Sequence, residues 1–167
     1  MKNLFLMTGV SGSGKSTWVQ KQIVACGKPC LWVSRDAIRY TLVSEDEEYF
    51  SRETEVFDTF VEKINMGLHA EVIENVFADA THLNETSRNK LLDRLDLEGV
   101  NICAVAFNIP VETCLEQNEN RKGTRGYVPR HVIRDMAQKY QAPGRNEKYK
   151  YFRILTVGFP EGGVNNA

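Results

Sequence analysis

Residues 9–17 follow the apolar run Leu4-Phe5-Leu6-Met7 and read Gly9-Val10-Ser11-Gly12-Ser13-Gly14-Lys15-Ser16-Thr17. This stretch matches the P-loop pattern, which places two glycines, a lysine and a serine or threonine between a strand and a helix. The residues that follow the pattern are predicted to be helical. Glycines let successive backbone N–H groups turn towards one anion, and the helix presents its positive end there. The stretch therefore predicts a site for a nucleoside triphosphate.

The side chains of the motif have separate predicted roles. We expect Lys15 to reach the β and γ phosphates and to act in catalysis, and the Ser16 hydroxyl to ligate Mg²⁺. ATP or another nucleoside triphosphate, with Mg²⁺, is the expected cofactor. The predicted nucleotide-binding residues of the motif are Gly12, Ser13, Gly14, Lys15, Ser16 and Thr17.

Length and composition are typical of one soluble domain. The chain has 167 residues, of which 42% are hydrophobic and 26% are charged, enough to bury a sizeable core. No apolar run approaches the roughly 20 residues of a membrane span, and no signal peptide is predicted. We expect a domain over residues 1–160, a short tail over 161–167, a cytoplasmic location and no membrane partner.

The cysteines show no C-x-x-C metal spacing. Cys26 and Cys30 lie at a predicted helix end and strand start, and Cys103 and Cys114 lie further along the chain. We interpret all four as reduced and mostly buried.

Charge is distributed unevenly although the net charge is only −1. Residues 1–120 hold 11 Lys/Arg and 19 Asp/Glu, whereas residues 121–153 hold 10 Lys/Arg and two acids. The near-neutral total excludes a uniformly basic nucleic-acid binder. The cationic segment could gather phosphates onto one face, or it could be a solvated helix surface.

Apolar runs alternate with helical stretches, which predicts an α/β fold. We expect a P-loop kinase-like three-layer sandwich, with a mainly parallel five-stranded sheet and a helical lid around 121–129. The predicted strands are 3–8, 30–34, 76–80, 101–108 and 151–158. The predicted helices are 15–26, 36–43, 48–75, 84–98, 111–121 and 129–141.

Two features of these helices are open to test. The helix over 48–75 carries an apolar stripe that includes Phe50 and Val72, which we interpret as core, with Gly67 as a possible bend. Asn84 is a candidate N-cap of the helix that follows it.

The end of the second predicted strand carries Ser34-Arg35-Asp36-Ala37-Ile38-Arg39. Ligands collect at the carboxyl ends of parallel strands, so Asp36 is a candidate to accept a proton from an incoming hydroxyl. It could equally cap the next helix. Arg39 could hold an anionic part of the acceptor or pair with a surface carboxylate.

The predicted strand 76–80 carries Asp79 near its end, in the sequence Val76-Phe77-Ala78-Asp79-Ala80-Thr81-His82. Asp79 is expected to orient Mg²⁺ together with Ser16. Thr81 and His82 are expected to face the cleft, Thr81 as a substrate contact, although a lone histidine is more often structural.

Arginines follow the fifth predicted helix. Arg121 and Arg125 are candidates to reach the triphosphate and stabilise the transferring phosphoryl group, and one of them could be only a surface charge. Arg130 lies on the next helix, one turn before Arg134, and could face the substrate or the solvent.

Five motifs together resemble the phage 5′-polynucleotide kinase family, from Met1 to about Tyr140. They are G-x-S-G-S-G-K-S-T-W, S-R-D-x-x-R, D-A-T-x-L-N, N-x-x-R and V-P-x-x-V-I-x-x-M. The resemblance implies transfer of the γ phosphate of ATP to a 5′-hydroxyl end of DNA or RNA. It implies Asp36 as general base, Arg39 on an acceptor phosphate, Arg121 as the lid arginine and possible assembly into a homo-oligomer.

Departures from the family limit what is carried over. The distance from Arg121 to Val128 is longer than the family pattern, so Lys122 could take the lid position. Ala37 stands where an acidic residue is common. The sequence also lacks the D-x-D-G-T phosphatase motif of the better-known phage enzyme, so we expect no removal of 3′ phosphates.

Other functions share the P-loop. A small-molecule kinase acting on a nucleoside, sugar or antibiotic would use the same fold, but Arg39 suits an acceptor phosphate better than a neutral sugar. A nucleotide-dependent switch would need a partner surface, for which the sequence shows no apolar stripe.

Overall fold

The computed structural model describes residues 1–158, in which five strands and six helices alternate. The predicted tail over 161–167 lies outside these residues. The elements are β1 (Lys2–Thr8), α1 (Lys15–Cys26), β2 (Cys30–Ser34), α2 (Arg35–Leu42), α3 (Glu53–His69), β3 (Asn75–Asp79), α4 (Glu85–Leu92), β4 (Val100–Phe107), α5 (Val111–Glu119), α6 (Arg130–Lys139) and β5 (Arg153–Val157).

All the strands form one parallel sheet in the order β2-β3-β1-β4-β5. Side chains alternate between its two faces with a period of two residues. Leu4 and Leu6 of β1 pack with α3 and α4 on one face, whereas Phe5 and Met7 pack with α1 on the other. The predicted α/β fold with a parallel five-stranded sheet is confirmed. The segment expected as a helical lid consists of turns, and only its flanks, α5 and α6, are helical.

The predicted helix over 48–75 is wrong at both ends, since α3 covers only Glu53–His69. Residues before it form turns that leave Phe50 52% exposed, and Val72 beyond it is 74% exposed, so neither belongs to the core. The side-chain ammonium of Lys2 donates to the carbonyls of Ala70 and Ile73, which gives these carbonyls a partner outside a helix.

Gly67 does not bend α3. A Cβ at this position would lie 2.5 Å from a methyl carbon of Leu31 and 3.1 Å from one of Val76, so glycine lets the helix approach the sheet closely. Asn84 is confirmed as an N-cap: its side chain accepts from Ser87 N at 3.0 Å, and Ser87 Oγ accepts from Asn84 N at 3.1 Å. The helix that follows ends at Leu92, earlier than predicted.

The strand order determines where polar groups meet. Because β1, β2 and β3 are parallel neighbours, the segments that follow them emerge at one edge of the sheet. These segments carry the P-loop, Asp36 and Thr81. Within residues 1–158, none of the helices combines the length and apolar character needed to cross a membrane.

Candidate active site

A cleft of about 210 Å³ opens at the carboxyl edge of the sheet. Its walls are the P-loop, α2, the turns before α3 and the segment between α5 and α6. Most of the residues singled out from the sequence are among its lining residues: Gly12, Gly14, Lys15, Ser16, Asp36, Arg39, Asp79, Thr81 and Arg121.

Residues 9–17 form what we call the phosphate cradle. Gly12 (φ 83°) and Gly14 (φ 90°) both adopt left-handed backbone conformations, which favour glycine. A Cβ on Gly12 would also lie 2.5 Å from the carbonyl oxygen of Cys114 on α5. The glycines of the motif are therefore required by the turn and by its close approach to a helix. Thr17, in the first turn of α1, is exposed and lies outside the cleft lining.

Lys15 is buried and folds back over the cradle. Its ammonium donates to the carbonyls of Gly9 (3.0 Å) and Val10 (2.8 Å) and to Ser13 Oγ (3.4 Å). Burial lowers the pKa of Lys15 to about 8, because a charged group loses hydration there. The cation is thus held by weak neutral acceptors in a place where an anionic phosphate would stabilise it.

Ser16, Asp79 and Trp32 form a hydrogen-bonded group beside the cradle. The Ser16 hydroxyl (2.8 Å) and the Trp32 indole N–H (3.0 Å) both donate to Asp79 Oδ2. Burial raises the pKa of Asp79 above its ordinary value, so a nearby cation would stabilise its charged form. Mg²⁺ binds through one or two protein oxygens together with substrate phosphates, and the Ser16 hydroxyl and Asp79 carboxylate fit that requirement.

Asp36 lies in the first turn of α2 but is not its cap. Ser34 is the N-cap, because its hydroxyl accepts from Ala37 N at 3.2 Å. The Asp36 side chain is 61% exposed. Its Oδ1 accepts from Arg39 Nη1 (2.5 Å) and from the Tyr49 hydroxyl (3.0 Å). Its other oxygen has no hydrogen-bond partner among residues 1–158, so it is available to a ligand.

Arg39 is buried in the wall of the cleft. Its Nε (2.7 Å) and Nη2 (3.0 Å) donate to the two carboxylate oxygens of Glu53. The guanidinium lies 4.8 Å from the ring centre of Tyr49 and 5.2 Å from that of Phe50. Arg39 therefore pairs with the exposed carboxylate of Asp36, as one of the sequence alternatives had it, and also with the half-buried carboxylate of Glu53. We call Asp36, Arg39, Tyr49 and Glu53 together the α2 wall.

Glu53 connects this wall to a second arginine. Arg35 Nη2 donates to Glu53 Oε2 at 3.1 Å, so the carboxylate serves both guanidinium groups. Burial alone would raise the pKa of Glu53, but the hydrogen bonds and charges of Arg39 and Arg35 bring it below its ordinary value. Glu53 is therefore anionic at neutral pH and compensates the charge of the buried Arg39.

The three cations considered for the lid occupy different places. Arg121 lines the cleft, close enough to disfavour the charge on Lys15. Lys122 is exposed and outside the cleft lining. Arg125 donates to the carbonyls of Tyr40 (3.4 Å) and Val43 (2.6 Å), which joins the segment to α2. Of the three, Arg121 is the one that lines the cleft with the cradle.

The ends of the lid segment are joined by Asn118. Its amide donates to the carbonyl of Val128 at 2.7 Å and accepts from Val128 N at 3.0 Å. The side chain is fully buried. The residues between these two positions therefore form a loop with a closed base.

His82 and Arg130 are also placed outside the cleft lining. His82 is buried, its Nδ1 lies 2.6 Å from the carbonyl oxygen of Met7, and burial lowers its pKa to about 4. The expectation that it faces the cleft is wrong, because its ring packs against Phe60. Arg130 pairs with Glu119 at 3.1 Å on the surface. Thr81 does line the cleft, and its carbonyl accepts from Gly9 N at 2.8 Å.

Three residues of the site escaped the sequence analysis: Trp32, Tyr49 and Glu53. Trp32 precedes the S-R-D-x-x-R block on the same strand, and alternation along β2 could have placed it near Asp79. Tyr49 and Glu53 both lie within residues 48–75, which we expected to be one continuous helix. No sequence pattern indicated that they turn towards Arg39.

The strand order and the phosphate cradle together define a P-loop domain of the kinase fold type, with a site suited to a nucleoside triphosphate. The chain belongs to the AAA domain family, whose sequence profile matches residues 4–143. No protein with a curated description matches the chain.

Solved structures with the same fold differ in what they act on. Kti12 of Chaetomium thermophilum, solved with ADP-AlF3, has 15% identity and a TM-score of 0.69, over 93% of this chain and 89% of its own. A fungal RNA kinase has 11% identity and a TM-score of 0.63, over 97% and 77%. A gluconokinase of Sinorhizobium meliloti 1021 has 19% identity and a TM-score of 0.58, over 95% and 84%. At these identities the likeness shows the fold.

Proposed function

We propose that this protein is a kinase that transfers the γ phosphate of ATP to the 5′-hydroxyl end of DNA or RNA. The observation that carries the proposal is the pair of Asp36 and Arg39 in one cleft with the phosphate cradle. A carboxylate can accept the proton of the attacking hydroxyl. A guanidinium beside it can bind the phosphate that follows the terminal nucleoside in a polynucleotide but not in a free sugar.

Residues of the cradle and of the surrounding cleft have separate roles in this reaction. Lys15 exchanges its carbonyl partners for the β and γ phosphates, and Arg121 approaches the γ phosphate from the lid. Ser16 and Asp79 would hold Mg²⁺, which neutralises charge on the phosphates. Asp36 takes the proton of the 5′-hydroxyl on its free oxygen.

The charge balance of the α2 wall couples the proton transfer to acceptor binding. Arg35 and Arg39 are balanced by Glu53 and Asp36. When Asp36 accepts a proton it loses its charge, and Arg39 loses an anionic partner. The wall and Arg35 together then carry one net positive charge, so their attraction for an acceptor phosphate is greater in the transition state than in the ground state. Such an interaction accelerates the chemical step.

Only part of the cationic segment 121–153 contributes to the cleft. Arg121 faces it, whereas Arg130 and Arg134 pair with glutamates on the outer surface. We therefore expect contacts to only a few phosphates of the acceptor and a shallow dependence of binding on salt.

A small-molecule hydroxyl is the second candidate acceptor. The observation that favours it is the bidentate pairing of Arg39 with Glu53, which leaves the guanidinium few donors for a phosphate. The gluconokinase with the same fold acts in this class. In this case Arg39 would orient Asp36 and would not contact the acceptor.

An acceptor series separates the two candidates. The protein is incubated with γ-labelled ATP and Mg²⁺ and is offered a 5′-hydroxyl oligonucleotide, a nucleoside 3′-monophosphate, the free nucleoside, or gluconate. The proposal expects label on the first two and little on the others. Label on gluconate or the nucleoside alone, or phosphate release without an acceptor, would contradict it.

Arg39→Ala sharpens the same experiment. If Arg39 binds the acceptor phosphate, the variant raises KM for the nucleoside 3′-monophosphate by about tenfold or more and leaves KM for the free nucleoside nearly unchanged. Equal losses with both acceptors would assign Arg39 to the orientation of Asp36.

A further inference from the structure

Cys26 and Cys30 lie at the amino edge of the sheet, opposite the cleft. Cys26 ends α1 and Cys30 begins β2. Their Sγ atoms are 3.1 Å apart, and both side chains are partly exposed. We propose that this pair is a redox-modification site, which a small-molecule disulfide such as glutathione disulfide converts into an intramolecular Cys26–Cys30 disulfide. The sequence interpretation of both thiols as mostly buried is wrong, and their contact was not indicated by their spacing.

The geometry requires little movement. A disulfide has its sulfur atoms about 2.05 Å apart, so the Sγ atoms have to approach by only about 1 Å. The loop between the cysteines is already ordered by contacts at both ends. Gly27 ends α1 in the left-handed region (φ 61°), and the carbonyl of Pro29 accepts from Glu74 N (3.0 Å) and Asn75 N (3.3 Å).

The side chain of Lys28 adds a further attachment, since its ammonium donates to Glu74 at 2.7 Å. Because the loop is held in this way, closing the disulfide costs little conformational entropy. This arrangement differs from that of two surface cysteines that meet only by chance during a fluctuation.

The surroundings give the two thiols different reactivities. A backbone hydrogen bond with Lys28 lowers the pKa of the Cys26 thiol. Burial raises the pKa of the Cys30 thiol, and its Sγ lies 3.8 Å from the amide nitrogen of Asn75. Since the thiolate is the attacking species, Cys26 is the nucleophile and Cys30 is the resolving thiol.

The reaction has two exchange steps. The Cys26 thiolate attacks glutathione disulfide, forms a mixed disulfide and releases one glutathione thiolate. The Cys30 thiolate then attacks the Cys26 sulfur, forms the Cys26–Cys30 bond and releases the second glutathione. The two cysteines lose two electrons and two protons, and the two glutathione molecules gain them.

Cys103 and Cys114 provide an internal comparison in the same chain. Both are buried, and burial raises the pKa of each thiol. They belong to β4 and α5. We therefore expect them to remain reduced under conditions that oxidise the first pair.

The test uses the folded full chain, treated with glutathione disulfide at neutral pH and then with iodoacetamide. Peptide mass spectrometry should find Cys26 linked to Cys30, with the loss of two hydrogens and full reversal by dithiothreitol. The rate should exceed that of any reaction at Cys103 or Cys114 by at least about tenfold. In Cys30→Ser the reaction should stop at a mixed disulfide on Cys26, and Cys26→Ser should lower the rate of glutathione exchange.

Three results would overturn the proposal. One is alkylation of both Cys26 and Cys30 in native wild-type protein after prolonged treatment. Another is a stable mixed disulfide on wild-type Cys26 that Cys30 does not resolve. The third is oxidation of the buried cysteines at the same rate, which would indicate unfolding. Circular dichroism before and after treatment checks that the chain stays folded, so the wild-type result stands even if a variant fails to fold.

Discussion

The phosphate cradle and the α2 wall face each other across one cleft, but they are built differently. The cradle comes from one continuous stretch, and its cation, Lys15, is held by backbone carbonyls of that same stretch. The α2 wall comes from a helix, a turn and a second helix, and its charged groups pair with one another. The cradle therefore offers a phosphate a cation that is held only by neutral acceptors, whereas the wall has to exchange charged internal partners for an acceptor.

This difference indicates where specificity lies. A change in the cradle should weaken the binding of every nucleotide, whatever the acceptor. A change in the α2 wall should leave nucleotide binding intact and alter the transfer step or the choice of acceptor. The predictions below test this division.

The largest expected effect is that of Asp36→Asn. The amide cannot accept the proton of the 5′-hydroxyl, so kcat should fall by about 10²–10⁴-fold, while ATP affinity stays within about twofold of wild type by the same reasoning. Rapid-quench kinetics and equilibrium nucleotide binding measure the two quantities. Asp46→Asn, which changes an exposed carboxylate outside the cleft lining, is the matched control. A variant that keeps more than about a tenth of the wild-type rate would contradict the role of Asp36 as general base.

The pH dependence of nucleotide binding tests the cradle. Burial lowers the pKa of Lys15 to about 8 in the free protein, and only the charged form attracts phosphates. Bound phosphates raise the pKa of Lys15 again, so nucleotide binding should take up a proton at pH values above about 8. In that range the affinity for the nucleotide should fall by up to about tenfold per pH unit.

Calorimetry in two buffers of different ionisation enthalpy measures this proton uptake. Lys21→Met, at an exposed position of α1, should keep the profile, and Lys15→Met should remove the uptake. An affinity that does not change across the alkaline range would mean that Lys15 stays charged without phosphate.

Glu53→Gln tests whether the wall depends on its internal pairs. The neutral amide would keep hydrogen bonding but would leave the buried Arg39 with less charge compensation. The free energy of unfolding should fall by about 1–3 kcal/mol, and KM for the oligonucleotide should change by about fivefold without a change in ATP affinity.

Urea unfolding measures the stability change. Glu55→Gln on the same helix is the control, since Glu55 pairs only at the surface, with Arg52 at 3.8 Å. A similar loss in both variants would mean that the pairing of Glu53 with Arg39 contributes no more than a surface ion pair.

Trp32→Phe should have the smallest effect. An aromatic ring remains, but the N–H that donates to Asp79 is lost. A typical single hydrogen bond contributes about 0.5–1.5 kcal/mol net, and Ser16 still donates to the carboxylate, so the Mg²⁺ concentration for half-maximal activity should rise by about two- to tenfold. Trp18→Phe, which alters packing against Phe77 without contacting Asp79, is the control. An unchanged Mg²⁺ requirement would show that Asp79 is positioned by Ser16 alone.

The contrast between cradle and wall also explains what the sequence could predict. The P-loop requires particular residues at fixed spacings because the backbone itself binds the anion, so the motif predicts both the turn and its ligand. The alternation of apolar runs predicts the sheet because its central strands, β1, β3 and β4, are largely buried on both faces.

The wall could not be predicted in the same way. Phe50 continues the apolar stripe of α3 in the sequence, yet the turns before Glu53 place it at the cleft, where it contacts Arg39. Which glutamate pairs with Arg39 depends on how α2 packs against α3, and no local pattern contains that information. His82 shows the same limit, since its hydrogen bond to Met7 depends on a neighbouring strand.

The two hydrogen bonds between Asn118 and Val128 have a practical consequence. The Asn118 amide pairs with both the N–H and the carbonyl of Val128. The residues between Asn118 and Val128 therefore form a loop whose two ends are fixed to the rest of the domain. The length and composition of such a loop can be changed by insertion or replacement while its two ends keep their positions. Loops of other lengths could therefore be grafted between Arg121 and Tyr127 without redesigning the domain that carries them.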